Sequence, residues 1–122
     1  MRAPIIINES PTPLEPGCID VFASARSAEH HLEAWYADES YFACDLDGLV
    51  LEILPNFETG GVSIVECAEE PARPDLAETF LRSYLDSLRY RKGRKKAELS
   101  DTWLRSASVE EMAEVSLRYA IE

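Results

Sequence analysis

The sequence predicts an α+β domain: a mostly antiparallel sheet of about four to five strands with helices packed on one face. Three observations predict it. Residues 41–54 alternate about an Asp47-Gly48 pair, the signature of a tight β-hairpin. Residues 74–88 repeat apolar side chains at helical spacing. The element order β-β-α-β-β-β-α-α joins strands by short loops, which favours antiparallel pairing.

Pro4–Asn8 and Ile19–Ala23 are short β-type runs. Between them, residues 9–17 contain three prolines and must form a loop. Ser24 offers an N-cap. Ala28, Leu32, Trp35 and Tyr36 follow at i, i+4, i+7 and i+8, so residues 25–36 read as an amphipathic helix with Glu29 and Glu33 on the opposite side.

A type I′ turn centred on Asp47 and Gly48 would pair Leu46 with Leu49, Cys44 with Leu51 and Phe42 with Ile53. Those six share one apolar face. Residues 55–61 make a second turn, and Val62–Cys67 reads as another strand. Pro71 and Pro74 stop the sheet, and Pro74 suits the first turn of a helix. Leu76, Ala77, Phe80, Leu81, Tyr84, Leu85 and Leu88 then line one helical face, with Gly93 as the terminator. Trp103 and Leu104 are expected to dock on the core. Ser108 with Glu111 forms a capping-box pattern that opens a final helix, with Val109, Met112, Ala113, Ser116, Leu117 and Ala120 inward.

The chain has 122 residues, the size of a single domain spanning 1–122. No apolar run is long enough to cross a bilayer, and the start lacks the apolar region of a secretory signal. The expected location is the cytoplasm. Cys18, Cys44 and Cys67 are odd in number and widely spaced, so each reads as a small buried hydrophobe with a free thiol.

The charge is uneven. Residues 1–88 hold 4 basic and 17 acidic side chains, residues 89–96 hold 6 basic and none acidic, and residues 97–122 hold 2 basic and 6 acidic. An acidic body repels phosphate backbones and favours encounter with basic surfaces. The basic run 89–96 reads as a solvated tip that offsets the acidic body. Asp38, Glu39, Asp45, Glu52, Glu58, Glu66, Glu69 and Glu70 form the expected acidic outer surface. Asp38, Glu39, Glu58, Glu69 and Glu70 are the candidate partner-binding residues.

Catalytic and metal-binding motifs are absent or incomplete. His30 and His31 are adjacent, so on a helix they point about 100° apart and cannot easily share a metal. Asp45-Leu46-Asp47-Gly48 lacks the later ligands of a calcium loop. There is no G-x-S-x-G and no phosphate-cradling glycine loop. The expectation is a non-enzymatic protein with no cofactor, no metal, no nucleic acid and no membrane.

Val21-Phe-Ala-Ser, Ala28-Glu…Leu32-Glu and Tyr41…Asp45-Leu-Asp-Gly-Leu-Val-Leu-Glu-Ile resemble small bacterial proteins, some of them similar to immunity proteins of polymorphic toxin systems. The resemblance covers roughly residues 18–54, rests on structural motifs and carries over no functional residue. Trp35-Tyr36 is a bulkier helix ending than the resemblance leads one to expect. It implies a cytosolic protein that binds and neutralises a cognate toxin. The alternative is a small-ligand or regulatory domain with a pocket between sheet and helices.

Overall fold

The computed structural model describes residues 1–90 and 99–122. The strands are β1 (Ile5–Glu9), β2 (Cys18–Phe22), β3 (Tyr41–Cys44), β4 (Val50–Asn56) and β5 (Gly61–Glu66). The helices are α1 (Ala25–His31), α2 (Pro74–Tyr90), α3 (Asp101–Ser106) and α4 (Val109–Tyr119). A short 3-10 helix, Ala34–Asp38, follows α1. The five strands form one antiparallel sheet in the order β2-β1-β3-β4-β5.

The expected α+β class is what forms, but the helices do not all lie on one face. α2 packs on β1 and β2, and α4 packs on β2 and α2. Beneath them lie Ile6, Ile19, Val21, Cys44 and Leu46. α1 and the 3-10 helix cover the opposite face over β4 and β5, burying Ile7, Phe22, Ala43, Leu51, Ile53 and Ile64. The central strands β1 and β3 are therefore apolar on both sides. A strand of that kind carries no polar–apolar alternation to fix its phase.

This explains the one-residue difference in the β3–β4 register. Cys44 pairs with Val50 and Ala43 with Leu51. The type I′ hairpin, with Cys44 opposite Leu51, does not form. Asp45 wins instead: its Oδ1 accepts the Asp47 and Leu49 N–H groups, both at 2.9 Å. The result is a wider, side-chain-closed turn.

The β3–β4 ladder is short for a second reason. The Ile53 N–H, next in line toward β3, donates to the Tyr41 hydroxyl at 3.0 Å. Two residues further on, Pro55 has no N–H to offer.

α2 buries all seven residues of its expected face. Phe80 is fully buried and meets Phe42 edge-to-face at 5.9 Å. The expected terminator Gly93 lies outside the described residues. The helix expected over 25–36 ends at His31, and the chain re-enters as the 3-10 helix. That break turns Trp35 out to solvent while Ala28, Leu32 and Tyr36 stay buried. α4 opens with the expected capping box of Ser108 and Glu111. Its inward face includes Val115 rather than Leu117, which is exposed. Leu104 is buried, and Arg82 donates to the carbonyls of Leu104 and Ala107, tying α3 to α2.

Two stability predictions follow from packing. Gly48 has φ +81°, and a Cβ there would come within 2.2 Å of the Arg73 backbone. Gly48→Ala is expected to lower unfolding free energy by about 3 kcal/mol, combining backbone strain with a steric clash. Phe80→Ala is expected to cost about 3–5 kcal/mol through cavity formation. Urea midpoints check both, and an unchanged midpoint would contradict the packing at that position.

Candidate functional site

Residues 3–72 carry 14 acidic side chains and a single Arg or Lys, Arg26. Strand direction sorts these acids into two groups. The start of β1, the β3–β4 turn and the end of β5 share one end of the sheet, here the near end. The Ser10–Gly17 loop, the close of the 3-10 helix and the β4–β5 turn share the other, the far end.

At the near end cations are interleaved with the acids. The Arg2 guanidinium contacts Glu110 at 2.8 Å and Asp47 at 3.2 Å. Its pKa is raised, first by the hydrogen bond to Glu110. The terminal amine of Met1 lies 3.4 Å from Glu66. Arg73 donates to Asp75 and holds its carboxyl below the usual range. Asp45, expected on the acidic surface, is instead 2% exposed. Glu69 and Glu70 are exposed in the loop that follows β5.

The far end is built differently. Asn8 is fully buried, and its amide donates to the carbonyls of Pro13 and Glu15 and accepts from the Gly17 N–H, each at 2.8 Å. One side chain thus fixes the whole proline-rich loop. Tyr36 is buried beside Glu9 and hydrogen-bonds to it; burial, then Glu9 and Asp20, push its pKa up, so the phenol stays a neutral donor. In the β4–β5 turn, Asn56 Oδ1 accepts from the Glu58 and Thr59 N–H groups at 3.0 and 3.3 Å. The Ala34 N–H donates to the Gly60 carbonyl at 2.8 Å and joins the 3-10 helix to that turn.

These joined segments present Asp38, Glu39 and Glu58, all exposed, together with Glu33. Among the described residues no Arg or Lys pairs with any of the four. The same segments present Trp35, 57% exposed, and Phe57, 73% exposed. The Trp35 indole N–H donates to Glu33 at 2.6 Å. A groove of about 560 Å³ at this end is lined by Glu9, Ser10, Pro11, Cys18, Asp38, Glu39 and Ser40.

Of the five candidate residues, Asp38, Glu39 and Glu58 therefore share the far end of the sheet, and Glu69 and Glu70 do not. The seven-residue strand β4 separates the two groups by roughly 20 Å. Sequence reading missed the aromatic component. Phe57 was legible as an apolar residue inside a turn. Trp35 was hidden because its spacing fits a continuous helix.

Each sheet edge is met at one point. The outward Ile64 N–H of β5 donates to Glu29 at 2.9 Å. On the β2 edge, Ile121 exchanges backbone hydrogen bonds with Val21 and Ala23 at 2.8 and 2.9 Å. Each contact interrupts the template for strand addition.

His30 and His31 are exposed, and among the described residues no group of three or more His, Cys, Asp or Glu is placed to hold a metal ion. A second groove, of about 540 Å³, lies between β2 and α2, with Cys18, Tyr84, Asp86, Ser87 and Tyr90 in its lining. No described helix is long and apolar enough to cross a membrane.

All three cysteines are free, but only Cys44 is the buried hydrophobe expected of each; Cys18 is exposed and Cys67 half-buried. Burial pushes the Cys44 thiol up to about 12. The Cys67 thiol is raised by burial and by Glu52. At about pH 8, maleimide should therefore modify Cys18 first and Cys67 more slowly, and reach Cys44 only on unfolding. Mass spectrometry of a labelling time course checks the order, and early modification of Cys44 would contradict its burial.

Comparison with protein-family models, curated proteins and solved structures gives no match.

Proposed function

We propose that this protein is an immunity-type inhibitor: an acidic domain that acts in the cytoplasm by binding a basic toxin domain and masking it. The observation that carries the reading is the group of carboxylates at the far end, Glu33, Asp38, Glu39 and Glu58, unpaired with Arg or Lys among the described residues. Carboxylates that only solubilise gain from interspersed cations, as at the near end. A surface of one sign projects a field that speeds encounter with the opposite sign. The expected resemblance of residues 18–54 to small bacterial proteins, some of them similar to immunity proteins, would point the same way.

In this reading the protein catalyses nothing. Inhibition is stoichiometric, and its strength comes from covering surface the toxin needs. The net charge of −11 disfavours nucleic acid as a competing ligand. The partner's basic groups exchange water and counterions for carboxylates carried on backbone that the Asn56 cap and the Ala34–Gly60 hydrogen bond already fix, so little backbone freedom is lost on binding.

The groove between β2 and α2 favours a second reading, a small-ligand site, because about 540 Å³ lies within the range that such ligands occupy. Its tyrosines and Asp86 would suit a flat, cationic molecule.

The two readings separate by salt. Co-expression with the cognate toxin domain should restore growth of cells that the toxin arrests. For the purified pair, raising salt from about 0.05 M to about 0.5 M shortens the Debye length from roughly 14 to 4 Å and should slow association at least about tenfold. Stopped-flow kinetics measures this. A salt-independent association rate would reject the charge-steered reading.

A further inference from the structure

The far end carries more than charge. Among the described residues, seven large apolar side chains are exposed: Met1, Leu14, Trp35, Leu54, Phe57, Tyr90 and Leu117. Singly exposed apolar residues are ordinary. Here three of the seven fall on the far-end segments: Leu14 in the Asn8-pinned loop, Trp35 in the 3-10 helix and Phe57 in the Asn56-capped turn. The last two segments are joined by the Ala34–Gly60 hydrogen bond.

Resting on the inhibitor reading above, we propose that the partner docks on this end, with Trp35 and Phe57 as the anchors, and that it presents apolar side chains flanked by Lys or Arg. Large aromatic side chains on rigid backbone are the residue types that dominate binding energy, because each removes much apolar surface from water at small entropic cost. The Trp35 indole meets Glu33, and the same segments carry Asp38, Glu39 and Glu58, which selects the occupant. A second copy would bring the same carboxylates against themselves in a two-fold interface. An anionic membrane surface would be repelled for the same reason. A basic protein surface with apolar side chains at its centre meets both components at once.

The near end lacks this combination. Its acids share space with the Met1 amine, Arg2 and Arg73, and among the described residues no exposed aromatic ring accompanies Glu69 and Glu70. Those two acids therefore add to the long-range field without forming the contact.

The test uses the full-length, isotope-labelled chain and two synthetic peptides at low salt. One alternates Lys and Leu at helical spacing; the other replaces Leu by Ser. Amide shifts induced by the Lys/Leu peptide should centre on Trp35, Asp38, Glu39 and residues 57–59. The Lys/Ser peptide should bind at least about tenfold more weakly. Trp35→Ala with Phe57→Ala should weaken the Lys/Leu peptide by about tenfold or more, whereas Glu69→Lys with Glu70→Lys should change it less than about threefold. Shift mapping on the unsubstituted chain settles the location even if the double alanine variant folds poorly. Shifts centred on Glu69 and Glu70 or on the outer face of β4 and β5, or affinity unmoved by the double alanine variant, would overturn the docking site while leaving a basic partner in place. Failure of both peptides to bind would overturn the inhibitor reading and the docking site with it.

Discussion

The Asp45 carboxylate, 2% exposed, accepts backbone N–H groups from Arg2 at 2.8 Å and from Asp47 and Leu49 at 2.9 Å. A buried carboxylate is costly unless hydrogen bonds replace its water, and three N–H donors do so here. The return contact, the Leu46 N–H donating to the Arg2 carbonyl, locks the N-terminal segment onto the turn. The turn in turn seats α2: the Arg73 N–H donates to the Gly48 carbonyl at 2.7 Å, one residue before the helix begins. The chain start, the β3–β4 turn and the longest helix thus meet at one side chain. Remove its charge or its acceptors, and the register of the central sheet loses its reference.

That dependence explains what could be read in the sequence and what could not. α2 was legible because its apolar stripe has one partner face, so period and burial agree at every position. The hairpin was legible as an element, but its register was not. Both faces of residues 41–54 carry apolar side chains, so the pattern fits either phase, and a one-residue slip exchanges the faces. Local side-chain hydrogen bonding by Asp45 decided the matter, against the Asp-Gly turn preference. The break after α1 was illegible for a related reason. Leu32 and Tyr36 reach the same core whether or not the helix continues, and packing against β4 selects the interrupted path.

Charge was legible in amount and not in place. An excess of acids is a sum over the sequence, whereas pairing is decided by contacts between distant residues. Arg2 meets Glu110 across 108 positions, and the Met1 amine meets Glu66 across 65. Those long-range contacts offset part of the acidic charge at the near end. The acids from Glu33 to Glu58 sit on segments that bring no Lys or Arg with them, and the fold delivers none among the described residues.

The same fold limits how a partner can approach. Strand addition at β5 meets the Glu29 carboxylate on the Ile64 N–H, and addition at β2 meets Ile121. Over β1 and β2 one sheet face lies under α2 and α4, and the other face lies under α1 and the 3-10 helix. The open face of β4 and β5, with Glu52, Leu54 and Ser63 exposed, and the ends of the sheet remain, and loops at the ends are free to vary without disturbing the core. Of the two ends, the near one is committed to the Asp45 hub, where substitution threatens the fold. The far one is held by side-chain caps, Asn8 and Asn56, that fix backbone while leaving neighbouring side chains outward. A surface that must change to follow a partner can do so only where change does not cost stability. In this protein that condition is met at the end bearing Trp35 and Phe57.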